Sequence, residues 1–218
     1  MKKKKLILII ILLVILALVI LLLIHTIRNF IIIKNLQENV AQYLNSTNYH
    51  IKSSESDDSG TTMNIDYYQK DGKIAIIMER NQNGKVSKIS SYEKDGKTNR
   101  YYDTEDSNVA ELDTGSTIMY GVVNFFDTAN DFQTFVGSIM MKIEKTEYNG
   151  KECYLITDIP ASIFLNSTEN NEIYIEKDTG LYVKSSNGTS TAEREYEFDN
   201  VSDEVFEEPN LEGYEIRE

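Results

Sequence analysis

Residues 61–98 read TTMNIDYYQKDGKIAIIMERNQNGKVSKISSYEKDGKT, and the punctuation of this stretch decides the fold. Glycines fall at 60, 72, 84 and 96, each 12 residues after the last. Asp71-Gly72, Asn83-Gly84 and Asp95-Gly96 favour two-residue hairpins, because Asp, Asn and Gly tolerate the positive φ that type I′ turns require. Between the turns lie runs rich in Ile, Val, Tyr and Thr. Met63, Ile65 and Tyr67 alternate with Asn64 and Asp66, the pattern of a strand with one solvated face. Ile74 to Met78 is apolar on both faces and is expected to be covered. The spacing predicts an antiparallel meander with strands near 49–56, 61–69, 73–81, 85–93, 97–103 and 108–113.

Towards the C-terminus the texture repeats. Asn149-Gly150, Asp178-Thr179-Gly180 and Asn187-Gly188 mark turns, with strands expected near 140–148, 151–158, 172–177, 181–186 and 192–199, about eleven in all. Tyr196 and Phe198 again alternate with Glu195, Glu197 and Asp199. Residues 116–139 break the pattern: Val122, Val123, Phe125, Phe126, Phe132, Phe135, Val136 and Ile139 fit helical spacing better than alternation. One or two helices are expected there, with Asp127, Thr128 and Asp131 as capping residues for the second. Such an insert is expected to pack across the sheet.

Towards the N-terminus, Leu6 to Ile24 are 19 residues of Leu, Ile and Val broken only by Ala17. At about 1.5 Å per residue, a helix of that length just crosses a hydrocarbon core of roughly 30 Å. Lys2 to Lys5 precede the run and nothing of comparable density follows, so the positive-inside rule places residues 1–5 in the cytoplasm and residues 25–218 outside the cell membrane. The run continues into His25, Thr26 and Ile27 with no small-residue cleavage site, the pattern of an uncleaved single-pass anchor. No Cys follows the run to take a lipid, and the Gly and Glu of a pilin leader are missing. Ile27, Phe30, Ile31, Ile33, Leu36, Val40, Tyr43 and Leu44 recur near a 3.6-residue period, predicting that residues 25–46 continue as an amphipathic helix, with the extracytoplasmic domain spanning 47–218.

Charge follows the same division. Residues 1–34 hold six bases and no acid, so residues 35–218 carry all 35 acids against 16 bases, a net charge of -19. That field repels phosphate backbones, and nucleic acid is not an expected partner. From Glu193 onward there are eleven acids against Arg194 and Arg217, which reads as a charged edge and tail or as a docking face for a basic protein.

The closing stretch carries a further pattern: Tyr174, Asp178, Gly180, Leu181 and Val183, then Tyr196, Phe198, Val201, Phe206 and Pro209. Taken with the order of helix, meander, helical insert and hairpins, it resembles the LolA-like lipoprotein-carrier superfamily, with its LolA/LolB, RseB/MucB and LppX/LprG branches, over roughly residues 30–216. The resemblance implies an α+β fold: a curved antiparallel sheet forming an open half-barrel, helices against its concave side, and an apolar cavity for acyl chains. The membrane anchor departs from the soluble carriers. A tethered chain does not ferry lipid across a wide gap, which leaves local binding, hand-off or sensing.

Motifs for catalysis are missing. The two histidines, His25 and His50, have no metal-binding spacing, and neither G-x-S-x-G nor a phosphate-binding G-x-x-x-x-G-K is present. Cys153 sits in an apolar strand without a sequence-adjacent His and reads as a small buried residue. Glu55, Asp57 and Asp58, like Asp103, Glu105 and Asp106, read as solvated turns without the order of a calcium loop. Sequons at Asn45, Asn166 and Asn187 are what an Asn- and Ser-rich chain produces by chance. No metal, cofactor or enzymatic activity is therefore expected.

Two functional expectations follow. The first is a membrane-anchored domain that binds a lipid or other hydrophobic ligand, with Val122, Phe125, Phe126, Phe132, Phe135 and Ile139 forming an apolar lid or cavity lining; the same residues serve equally well as ordinary core. The alternative is a protein-interaction or envelope-sensing module with a closed core and an acidic docking face.

Overall fold

The computed structural model describes residues 2–115, 121, 122, 126, 130–160 and 172–217. The chain opens with helix α1 (Lys2–Leu44) and runs through six strands, β1 (Asn48–Asp57), β2 (Thr62–Lys70), β3 (Lys73–Gln82), β4 (Lys85–Lys94), β5 (Lys97–Asp103) and β6 (Asn108–Glu111). Helix α2 (Asp131–Met140) precedes β7 (Lys142–Tyr148), β8 (Lys151–Thr157), β9 (Glu172–Glu176), β10 (Tyr182–Ser186) and β11 (Ser190–Phe198); a 3₁₀ turn (Asp203–Phe206) and β12 (Glu215–Arg217) close the chain.

All twelve strands form one sheet in the order β12-β6-β5-β4-β3-β2-β1-β11-β10-β9-β8-β7. Its ends, β12 and β7, are not paired, so the sheet is open and the fold is α+β. Every ladder is antiparallel except β12 on β6. The expected meander forms because its turns are local: Asp71, Asn83, Asp95 and Asn149, with the glycine after each, all adopt positive φ. The strand beyond the expected eleven is β12, three residues long and without hydrophobic alternation. The long-range step is the pairing of β1 with β11, which puts Ile51 beside Tyr196 and Tyr49 beside Phe198.

The apolar run and the amphipathic helix are one continuous helix, α1. The most apolar part of α1 is not buried by the protein and is long enough to be a membrane anchor. The second part lies on one face of the sheet, here the inner face. Ile33 and Leu36 pack with Ile143, Ile156, Ile173 and Ile175 in a dry core. Polar side chains on α1 donate to backbone carbonyls around it: Arg28 Nη2 to Ile143 at 3.1 Å, Gln37 Nε2 to Phe126 at 2.9 Å, and Asn39 Nδ2 to Lys177 at 3.0 Å. Gly180, at φ +69°, lets the β9–β10 turn approach this helix; a Cβ there would sit 2.3 Å from the Leu36 carbonyl oxygen.

Helix α2 corrects two expectations. It packs against α1 rather than across the sheet. Its cap is Asn130, whose side chain accepts from the Gln133 amide while the Gln133 side chain accepts from the Asn130 amide, a reciprocal capping box in place of the expected Asp127, Thr128 or Asp131. Asp127 and Thr128 lie outside the described residues.

The outer face of β3–β6 is covered by the C-terminal segment, which answers the double-sided apolarity of β3. Ala75 is fully buried, and Asp203 pairs with Lys70 at 3.0 Å and with Lys73 at 3.3 Å. Glu208 accepts from Tyr101 Oη and from Asn99 Nδ2, and Asp103 accepts from Tyr214 Oη. Several acids of the charged tail thus hold it to its own sheet.

Candidate functional site

Register builds the inner face of β1–β5 in rows. Ile51, Tyr67, Ile76, Ser91 and Arg100 are successive cross-strand partners, and Ser53, Ile65, Met78, Ile89 and Tyr102 form the next row. Beyond them come Glu55, Met63, Arg80 and Ser87. The rows nearer α1 are dry: Tyr49, Ile51, Ile65, Tyr67 and Ile76 are buried together, with Val122, Tyr196 and Phe198 packed around them. Within this cluster the Tyr49 and Tyr67 hydroxyls both donate to Gln69 Oε1, at 2.7 and 2.9 Å. Burial pushes both phenols up, so they remain protonated donors.

Further along the same strands the face opens. Met63, Met78 and Ile89 are half-buried and floor a groove of about 490 Å³ whose rim carries Glu55, Asp57 and Arg80. Arg80 and Ser87 also line an adjoining depression of about 410 Å³ between the β3–β4 and β5–β6 turns, where Lys85, Glu105 and Asp106 stand. The two together make a channel with an apolar floor at one end and charged groups at the other. Methionines suit such a floor, since the unbranched thioether adapts to ligands of different shape.

The rim is locally ordered. Asp57 accepts from Ser59 Oγ at 2.6 Å, from the Ser59 amide at 2.9 Å and from the Thr61 amide at 3.0 Å. The Ser59 hydroxyl bond, reinforced by the amides, holds the Asp57 carboxyl below its usual range. Its Oδ1 therefore serves the turn. Among the described residues, no group of three His, Cys, Asp or Glu side chains is placed to hold a metal ion.

The six aromatic and aliphatic residues singled out from the sequence are dispersed. Phe126 is buried in the core beside α1, and Val122 packs on the Tyr49 cluster. Phe135 meets Phe30 edge to face at 5.8 Å, while Phe132 and Ile139 are exposed on α2. Phe125 lies outside the described residues, as does the sequon at Asn166. None of the five that are described lines the groove. The groove residues Met63, Met78, Ile89 and Arg80 are not grouped by any local signal; the register of three strands brings them together. Cys153 is buried and its thiol is pushed up by burial, with the Glu176 carboxylate adding to the effect. His50 lies 2.8 Å from Asp66 and stacks on Tyr68 on the outer face.

No protein-family model matches the chain, and no curated protein matches it. Solved structures match it at low identity. An uncharacterized conserved protein from Thermus thermophilus is 9% identical over 84% of this chain and 98% of its own, with a TM-score of 0.47. A crystal structure of MucB in complex with MucA(peri) matches at 13% identity over 79% of this chain and 57% of that one, with a TM-score of 0.33. A DUF1329 family protein from Desulfovibrio piger matches at 12% identity over 79% of this chain and 94% of that one, with a TM-score of 0.26.

Proposed function

We propose that this chain is a membrane-anchored binding protein whose extracytoplasmic groove takes an amphiphilic ligand and performs no chemistry on it. The observation that carries this reading is the pair of adjoining depressions: an apolar floor of Met63, Met78 and Ile89 leading to a charged end with Arg80, Lys85, Glu105 and Asp106. An acyl chain on the floor would leave water, and a polar or zwitterionic head at the far end would meet the cations Arg80 and Lys85 beside the acids Glu105 and Asp106. The lack of catalysis draws support from where the reactive side chains sit. Neither histidine lines the groove, nor does Cys153, whose thiolate burial disfavours. The anchor reading, with residues 1–5 cytoplasmic, draws on the lysines before Leu6 and on the unbroken α1.

The test is thermal unfolding of the full-length chain in nanodiscs, with and without added long-chain fatty acid. A ligand at about 100 times its Kd stabilises the folded state by about 2.7 kcal/mol, and the midpoint is expected to rise accordingly. Met78→Glu places a charge on the floor and is expected to abolish the rise while the unliganded protein still folds. An unchanged midpoint across fatty acids and lysophospholipids sinks the proposal and favours the protein-interaction alternative, for which the open, doubly charged rim offers purchase.

A further inference from the structure

Helix α2 is built inside out. Its inward face is Thr134, Gly137 and Ser138, all buried, while three of its large apolar side chains, Phe132, Ile139 and Met140, are exposed. Phe132 is 75% exposed, Met140 63% and Ile139 40%. Small inward residues let α2 lie close to α1, and the two run antiparallel. Lys34 Nζ meets Asp131 at 3.0 Å near one end of α2, and Phe30 meets Phe135 in the middle. At the other end the fully buried Asn29 donates to the carbonyls of Met141 at 2.7 Å and Ser138 at 3.2 Å, and His25 Nε2 lies 3.1 Å from the same Met141 oxygen. These contacts occupy carbonyls that a helix C-terminus leaves without partners, so the end of α2 is fixed at the level of His25.

His25 is the first residue after the apolar run. With Leu6 to Ile24 filling the hydrocarbon, the headgroup layer begins there and extends roughly 5–8 Å outward. Ile139 and Met140 fall within that layer, and Ile27 of α1 is exposed at the same level. The exposed apolar surface of the membrane helix ends at Ile24, and the exposed tip of α2 stands at the next level, across the His25 and Asn29 contacts. An exposed apolar patch of this kind marks a surface that is covered in use, and the covering that adjoins it is the bilayer.

We propose that the C-terminal tip of α2, through Ile139 and Met140 together with Ile27, inserts end-on into the interfacial layer of the bilayer that α1 crosses. The domain is then held at two points. This fixes its tilt and the direction in which the inner-face groove opens relative to the lipid. With a net charge of -19 on residues 35–218, attraction to anionic headgroups does not drive the contact, which is apolar and insensitive to salt. The proposal rests on Leu6–Ile24 being a membrane span, and its test separates the two.

The chain has no Trp, so one introduced indole reports on its own surroundings. Full-length Met140→Trp, Ile139→Trp, Phe132→Trp, Leu16→Trp and Val86→Trp are reconstituted in phosphatidylcholine vesicles whose acyl chains carry bromine at shallow or deep positions. Leu16→Trp is expected to be quenched by deep bromines. Met140→Trp and Ile139→Trp should shift to shorter wavelength and be quenched by shallow bromines, equally at low and high salt. Phe132→Trp, about 10 Å further out along α2, should be quenched far less, and Val86→Trp on β4 not at all. If Leu16→Trp is quenched while Met140→Trp and Ile139→Trp behave like Val86→Trp, the insertion is wrong and the anchor stands. If Leu16→Trp escapes quenching, the anchor falls and the insertion with it. Equal quenching at positions 132 and 140 overturns the end-on geometry. A wavelength shift that follows protein density rather than bromine overturns the lipid contact in favour of a second copy of the chain.

Discussion

Over β7–β9 the inner face of the sheet meets α1, and over the far ends of β2–β4 the same face lies open. The covered region is dry: Ile33, Leu36, Ile156, Ile173 and Ile175 are at most 2% exposed. The open region has the same strand geometry but half-buried methionines and a charged rim. A helix lying along part of a sheet thus leaves a groove without any special loop to shape it, and the chemistry of each region follows from whether something covers it. Side chains in the covered region are chosen by fit to α1; those in the open region are free of that constraint.

The sharpest way to break this contrast is at the contact that seats α1. Gly180→Ala places a methyl group 2.3 Å from the Leu36 carbonyl oxygen and 2.8 Å from the Val40 amide nitrogen, both backbone atoms. The helix or the β9–β10 turn must move, and positive φ adds strain. A loss of about 4 kcal/mol is expected in chemical unfolding of the detergent-solubilised chain; a loss below about 1 kcal/mol would mean that α1 is only loosely seated.

The next test sets the two regions side by side. Ile156→Ala in the covered region should destabilise by about 3 kcal/mol, as cavities in dense cores do, and Met78→Ala in the open region by about 1 kcal/mol or less. Equal losses would make the groove ordinary core and remove the basis for ligand binding. Ser53→Ala probes the boundary, since Ser53 is fully buried between Ile51 and Glu55 and its hydroxyl has no hydrogen-bond partner among the described residues. Deleting that hydroxyl removes a desolvated polar group, so a change between zero and about 1 kcal/mol in the stabilising direction is expected. A clear destabilisation would show the hydroxyl to be engaged.

The two regions also differ in how far they were legible in the sequence. Hairpins were, because Asp71-Gly72, Asn83-Gly84, Asp95-Gly96 and Asn149-Gly150 set their turns locally. The buried stripe of α1 was as well, because Ile33, Leu36 and Val40 repeat at helical spacing. The groove was not. Met63 and Met78 read as members of ordinary apolar strand patterns and Ile89 as a lone apolar residue, and only register makes the three neighbours. Periodicity likewise identified the apolar stripe of α2 but not its outward direction, which is set by how closely Thr134, Gly137 and Ser138 let it approach α1. And β12 has no pattern of its own; it pairs because the tail is drawn across the outer face through Asp203 and Glu208.

The smallest expected effect is an acid response at the rim of the open region. Asp57 titrates below its ordinary 3.8, chiefly because the Ser59 hydroxyl and the turn amides favour its carboxylate. A folded-state value below the unfolded one means that its contribution is complete above about 3.8 and is lost as the pH falls through the lower folded value. The covered core carries no group that titrates in that range. Amide exchange corrected for its intrinsic pH dependence should therefore quicken at residues 58–61 as the solution is taken below pH 3.8, while residues 173–175 keep their protection. Asp57→Asn should reproduce the loosening at neutral pH, because a neutral amide oxygen is a weaker acceptor for the same three donors. If that variant leaves exchange at 58–61 unchanged, the carboxylate does not order the rim, and the open region owes its shape to the strands alone.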